Sequence, residues 1–69
     1  MKAIKVSVDS HERSKVDGFL GQFGGDTDTF AYQMDSVTFI AVFIGECARA
    51  YFEAELARAF EEPIIVELK

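Results

Sequence analysis

The residues that could take part in acid–base or thiol chemistry are few in this sequence. His11 lies next to Glu12, just after a short alternating segment, and it is the only histidine. A general base needs a reacting partner and a pocket, and the sequence around His11 supplies no nucleophile to set against it. We therefore expect His11 to be a solvated surface side chain and the protein not to be an enzyme.

The single cysteine, Cys47, lies near the start of a predicted helix, where a thiol pKa can fall. We nevertheless expect it to be a small, buried packing residue. One cysteine and one histidine can form neither an intrachain disulfide nor a Cys/His zinc site. The sequence thus predicts no metal and no cofactor, and for a chain of 69 residues a homodimer is the expected source of extra stability.

The excess of carboxylates over basic groups is the other feature of the sequence that could take part in binding. The net charge is −5, with residues 1–23 at +1 and residues 24–69 at −6. Direct nucleic-acid binding requires cationic groups that neutralise phosphates, so we expect none here. A partner protein with a basic surface suits this field better. The candidate acidic contacts are Glu55, Glu61, Glu62, Asp26 and Asp28.

Hydrophobic periodicity predicts the elements that would position these groups. Strands are expected over residues 3–9, 27–34, 37–44 and 64–68, and helices over residues 10–23 and 45–62. Asp9 as N-cap, with Glu12 three residues later, predicts a capping box, and Ser14 with Asp17 is an equally good later start. Pro63 is expected to end the second helix. Glu61 and Glu62 would then oppose the helix dipole at its C-terminus, which favours a role in binding over one in helix stability.

The order β-α-β-β-α-β predicts an α+β, ferredoxin-like fold within a single domain, residues 1–69. Right-handed crossovers would place both helices on one face of a single, mostly antiparallel sheet. A two-residue turn at Asp35 and Ser36 would place Met34 opposite Val37. That register assigns one wholly apolar set to the helix-covered core, namely Phe30, Tyr32, Met34, Val37, Phe39, Ala41 and Phe43.

The opposite sheet face is expected to be open to solvent. Ile40, Val42 and Ile65 would form an aliphatic patch there, with polar residues around it. Such a patch is typical of a surface that binds another protein or a second copy of the chain.

The element order resembles that of three families. The loop Asp9-Ser10-His11-Glu12 lacks the two cysteines of heavy-metal-associated domains. The strand over residues 37–43 lacks the basic and glycine positions of RNA-recognition motifs. The order and size are also similar to those of ACT regulatory domains. That resemblance implies a small-molecule sensor, with its ligand at the first strand–helix loop or at a dimer seam.

In size, acidity and lack of catalytic groups, the whole chain resembles small bacteriophage proteins that disable host machinery. These include anti-activators of quorum-sensing regulators and anti-CRISPR proteins. The resemblance implies a steric inhibitor that covers a host protein, such as the basic DNA-binding surface of a transcriptional regulator. A structural subunit of a larger assembly is a further alternative.

Location is predicted from what the sequence lacks. The N-terminus has no apolar signal-peptide region, and no apolar run reaches the roughly 20 residues that cross a bilayer. We therefore expect a cytoplasmic protein that does not bind membranes.

Overall fold

The computed structural model describes residues 2–68, except for the side chain of Glu46. The fold is α+β, with a four-stranded antiparallel sheet in the order β2-β3-β1-β4, two α-helices and a short 3₁₀ helix. In chain order the elements are β1 (Lys2–Ser7), the 3₁₀ helix (Ser10–Lys15), α1 (Val16–Gly21), β2 (Thr29–Gln33), β3 (Thr38–Phe43), α2 (Glu46–Ala59) and β4 (Ile64–Leu68).

Both α-helices pack on the same face of the sheet and enclose one aromatic core. The Phe52 ring of α2 lies 5.3 Å from Phe19 of α1 and 5.4 Å from Phe43 of β3. Ile4 and Val6 of β1 are fully buried beneath them. Full burial of such a side chain contributes about 1.5–3 kcal/mol relative to exposure. The sequence carries an apolar stripe in each helical segment, and these stripes form the inner surface of the helical layer. They consist of Val16, Phe19, Leu20 and Phe23 in the first segment and of Ala48, Phe52, Leu56, Ala59 and Phe60 in the second.

The first helical segment is divided, and neither expected capping box forms, since α1 has Lys15 as its N-cap and no side-chain cap hydrogen bond. Asp9 makes no side-chain cap hydrogen bond. The Glu12 side chain turns inward instead and is only 3% exposed. Its carboxylate accepts a hydrogen bond from the Glu61 backbone N–H at 3.2 Å. Its carboxylate also lies 3.1 Å from the Lys15 ammonium. The backbone N–H just beyond the end of α2 thus receives a charged acceptor from the 3₁₀ helix, in a charge-assisted hydrogen bond.

The second helix ends earlier than its composition predicts. Phe60 has extended backbone angles and is buried, while its N–H still donates to the Leu56 carbonyl at 3.0 Å. Pro63 disfavours helical geometry at the residue before it, and the buried Phe60 ring takes the chain back to the core. Glu61 and Glu62 consequently lie in the turn before β4, so the predicted conflict with the helix dipole is wrong.

The predicted pairing of β2 with β3 is wrong by one residue. Tyr32 lies opposite Ile40, and Phe30 lies opposite Val42. The connection is a longer loop in which the Asp35 side chain accepts the Val37 N–H at 2.9 Å. A slip of one residue moves every side chain of a strand to the other face.

The core assignment changes accordingly. Phe39, Ala41 and Phe43 are buried and Val37 packs against the core, as predicted. The other three members of that set are exposed, with fractions of 61% for Phe30, 44% for Tyr32 and 56% for Met34. Thr29 and Ala31 take the inward positions of β2 instead.

The last strand is also turned over relative to the predicted arrangement. Val66 lies opposite Lys5, and Ile65 lies opposite the buried Val6. Ile65 therefore faces the helical layer and does not belong to the open face, contrary to the sequence-based expectation. Glu67 shares its side and meets Arg49 of α2 at 2.6 Å.

Candidate functional site: the open sheet face

The face of the sheet turned away from both helices is the most distinctive surface of the molecule. Strand register arranges its side chains in rows across the sheet. The central row crosses all four strands as Tyr32, Ile40, Lys5 and Val66. A second row consists of Phe30, Val42, Ala3 and Leu68, and a third of Thr38, Ser7 and Ile64. These eleven side chains are called the open face below.

The open face is apolar over most of its extent. Phe30 and Tyr32 lie side by side with ring centroids 5.8 Å apart. At the opposite edge Ile64 is 65% exposed and Val66 is 47% exposed. With strands about 4.8 Å apart and a rise of about 3.3 Å per residue, the face spans roughly 19 by 17 Å, or about 300 Å². Apolar surfaces of that size on small proteins commonly serve binding.

Lys5 carries the only charge among the open-face side chains that the structure describes. It lies on the central strand β1, half-buried between Ile40 and Val66. Within residues 2–68 its ammonium makes no salt bridge.

Asp35 lies in the loop between β2 and β3, at the rim of this face. Its pKa is lowered chiefly by the hydrogen bond from the Val37 N–H, and to a lesser degree by the charge of Lys5. Asp35 and Lys5 therefore lie near enough to each other to interact weakly at the edge of the open face.

The acidic residues proposed from the sequence do not form one patch. Asp28 lies at the end of the sheet where β3 finishes, because its carbonyl accepts the Ile44 N–H at 2.9 Å. Asp26 is beside it and accepts the Asp28 N–H at 2.8 Å. Glu55 belongs to α2 and pairs with Arg58 at 2.8 Å.

The remaining two predicted acidic contacts lie at the opposite end of the molecule. Glu61 and Glu62 line a surface cleft beside Ser7 and Val8, where β1 ends. None of the five carboxylates lies on the open face, so the structure separates the predicted acidic contacts from the aliphatic ones. Of the aliphatic contacts, Ile40 and Val42 are on the open face, both partly exposed.

The cleft occupies the first strand–helix loop and has a volume of about 410 Å³. Its walls include Asp9, His11 and the carboxylate of Glu12, in addition to the two glutamates of the turn. His11 is exposed and lies 3.4 Å from Asp9. Four of its eight lining residues are acidic, so the cleft favours a cationic small molecule.

Cys47 is exposed near the start of α2, so the expectation of a buried packing residue is wrong. The small side chains of the same helix, Ala50 and Ala54, are likewise exposed. This side of α2 faces away from the sheet, because its apolar stripe is already used in the core.

An ion-pair network joins α2 to β4 on the helical side of the sheet. Arg49 contacts Glu53 at 2.7 Å and Glu67 at 2.6 Å. Hydrogen bonds to these two carboxylates raise the pKa of Arg49. The Arg49 hydrogen bond in turn lowers the pKa of Glu67. The network attaches the last strand to the helical layer.

Comparison with protein-family models, with curated proteins and with solved structures finds no match to this chain. Across residues 2–68, no three or more histidine, cysteine or acidic side chains are grouped so as to hold a metal ion. In the same range no helix is both long enough and apolar enough to cross a bilayer.

Sequence reasoning missed five members of the site: Phe30, Tyr32, Ile64, Val66 and Leu68. One signal could have identified the aromatic pair. Asp35 followed by Ser36 favours a side-chain-capped turn over a two-residue hairpin, because the aspartate can accept a backbone N–H two residues on. Such a loop lengthens the connection and shifts the register.

Proposed function

We propose that this chain is a protein-binding module that acts by occupying the surface of its partner, as a steric inhibitor does. The observation that carries the proposal is the open face, an apolar surface that crosses four strands. The element order together with the strand order β2-β3-β1-β4 favours a ferredoxin-like arrangement, in which one sheet face is free to bind.

The size of the exposed apolar surface supports binding energetically. Phe30 and Tyr32 together leave about 200 Å² exposed, since an aromatic side chain offers roughly 150–250 Å². Covering that area alone would contribute about 5 kcal/mol before the costs of association. Aromatic residues of this kind are common anchors at interfaces.

A protein partner suits the face better than a nucleic acid does. Sheet aromatics can stack on bases, but phosphates must also be neutralised by cations. The open face offers one lysine, and the chain carries a net charge of −5. The side chains directly beside that lysine on the neighbouring strands, Ile40 and Val66, are aliphatic and provide no base-edge hydrogen bonds.

The partner's contact surface is proposed to be apolar rather than basic. None of the five carboxylates proposed from the sequence is on the open face itself, although Glu61 and Glu62 line the cleft that borders it. A host-directed inhibitor of the bacteriophage type, including one that covers a transcriptional regulator, needs only a face that competes for a functional surface. Such an inhibitor is the biological role that we propose.

A matched pair of tyrosines tests the proposal. Tyr32 is 44% exposed on the open face, and Tyr51 is 58% exposed on α2. Once a partner has been captured and purified, its affinity is measured for Tyr32→Ser and Tyr51→Ser. We expect a loss of about 10-fold or more for Tyr32→Ser, as for an interface anchor, and little change for Tyr51→Ser. Equal affinities for the two variants would place the contact elsewhere.

The cleft supports a second candidate function, that of a small-molecule sensor of the ACT kind. It lies at the first strand–helix loop, the position which that resemblance implies, and its lining favours an amino acid or another amine. A thermal-shift screen of such compounds would detect binding, because a ligand at 100 times its Kd stabilises the folded state by about 2.7 kcal/mol. Glu62→Gln would serve as the control that weakens the cleft's charge.

A further inference from the structure

We propose that the open face receives a protein segment whose contact surface is apolar and carries a carboxylate opposite Lys5. This inference rests on the proposed function and names the partner's chemistry. Two features carry it: the position of Lys5 in the central row, and the aliphatic character of its neighbours on the two adjacent strands.

A partner that covers the open face must also cover Lys5, because Lys5 lies in its central row. Ile40 and Val66 lie directly beside it on the two adjacent strands, and Ala3 and Ser7 flank it along β1. A segment that covers the aromatic pair and β4 must therefore also cover the ammonium. A desolvated charge without an acceptor is strongly unfavourable, whereas a carboxylate placed against it forms a charge-assisted hydrogen bond.

Register also argues against a second copy of this chain as the occupant. The centre of the open face lies between β3 and β1, so Lys5 is only about half a strand spacing, roughly 2.4 Å, from it in projection. A two-fold axis through that centre would bring two ammonium groups together across the interface. Like charges placed opposite each other disfavour association, while a partner with a carboxylate is complementary.

The dimensions of the face set the length of the segment. A helix that crosses four strands over about 19 Å contains roughly 13 residues. Its apolar residues would recur on one side, with the acidic residue near the middle of the stripe. An extended segment that crosses the same width needs about six residues.

A displayed library of random peptides of about 15 residues, long enough to cross the face, tests the inference without knowledge of the natural partner. Selections are run against wild type, Lys5→Glu and Lys2→Glu. Lys2 lies on the same strand, but its side chain is on the opposite face of the sheet, so Lys2→Glu changes the net charge equally and serves as the control. Circular dichroism checks that all three proteins are folded.

We expect wild type and Lys2→Glu to select peptides with an aspartate or glutamate among apolar residues. These peptides should bind Lys5→Glu at least about 10-fold more weakly, as expected on loss of a paired interfacial charge. Lys5→Glu should select lysine or arginine in the place of the acid. Peptides that lose binding to Tyr32→Ser but bind Lys5→Glu as tightly as wild type would overturn the inference and leave the proposed function standing.

Two other outcomes have equally definite readings. If no selected peptide is sensitive to Tyr32→Ser, the proposed function fails and the inference fails with it. The second outcome concerns the oligomeric state, which sedimentation of the protein without peptide measures. A wild-type dimer that becomes tighter on mixing with Lys5→Glu would assign the face to a second copy of the chain and overturn the inference.

Discussion

The register of β2 can be tested by two equivalent substitutions on neighbouring strands, Phe30→Ala and Phe39→Ala. Phe39 is fully buried, and its ring lies 5.9 Å from Phe19 and 6.3 Å from Phe60. Removing a ring from such a site costs about 3–5 kcal/mol. A chain of 69 residues has a total stability of only about 3–10 kcal/mol. We therefore expect Phe39→Ala to be largely unfolded or only marginally folded.

Phe30→Ala should behave differently, because the Phe30 ring is 61% exposed and touches mainly its neighbour Tyr32. The loss of a cross-strand or same-face contact costs about 0.2–1 kcal/mol. At about 4–8 °C per kcal/mol, Tm should fall by no more than about 8 °C.

Urea unfolding followed by circular dichroism, with thermal melts alongside, measures both variants against wild type. The alternative register would place Phe30 in the core opposite Ala41. A loss of more than about 2.5 kcal/mol for Phe30→Ala, comparable to a core truncation, would refute the register and with it the composition of the open face.

Three further predictions concern the surroundings of the site. Glu12→Ala should destabilise the fold by about 1–3 kcal/mol in urea unfolding, because it removes the part-buried hydrogen bond from the Glu61 N–H to a charged acceptor; Glu12→Gln keeps an acceptor and should lose less, and equal losses would contradict this role. The lowered pKa values of Asp35 and Glu67 contribute stability that is fully present above their ordinary values of 3.8 and 4.5 and is lost as the pH falls through the lowered ones; unfolding measured from pH 7 to pH 2 should show the decline at the acid end, less steeply in a variant with both residues changed to amides. Cys47 should react with a thiol reagent in the native protein at the rate of an exposed thiol, and a rate that rises only on denaturation would contradict its exposure.

Local patterns predicted most of the elements because their periodicity was strong. The alternating apolar residues of β1, Ile4 and Val6, are buried as expected. The apolar stripe of α2, which includes Phe52 and Leu56, is buried as well. These features depend only on which residues recur at a spacing of two or of three to four. They do not depend on how one strand aligns with the next.

The pairing of strands could not be predicted in the same way. On β2 the aromatic side chains alternate with Ala31 and Gln33, so hydrophobicity favours placing the aromatic side inward. The loop around Asp35 decides otherwise, because its side-chain hydrogen bond to Val37 fixes a longer connection. A single residue of difference exchanges the two faces, and the binding surface changes with it.

The last strand shows a second limit of sequence reasoning. Ile64, Ile65 and Val66 are all aliphatic, so alternation cannot say which side of β4 faces the helices. Arg49 of α2 meets Glu67, and this pair lies on the helical side. Because this contact joins residues that are 18 positions apart in the sequence, the periodicity within β4 cannot predict it.

The most direct test of the open face as a binding surface is methyl NMR of the protein titrated with its captured partner. We predict that the largest shift changes and line broadening occur at the methyl groups of Ile40, Val42 and Val66. Ala50 and Ala54, which are exposed on α2, should change little. Changes concentrated on those two alanines, with the three open-face residues unaffected, would contradict the account.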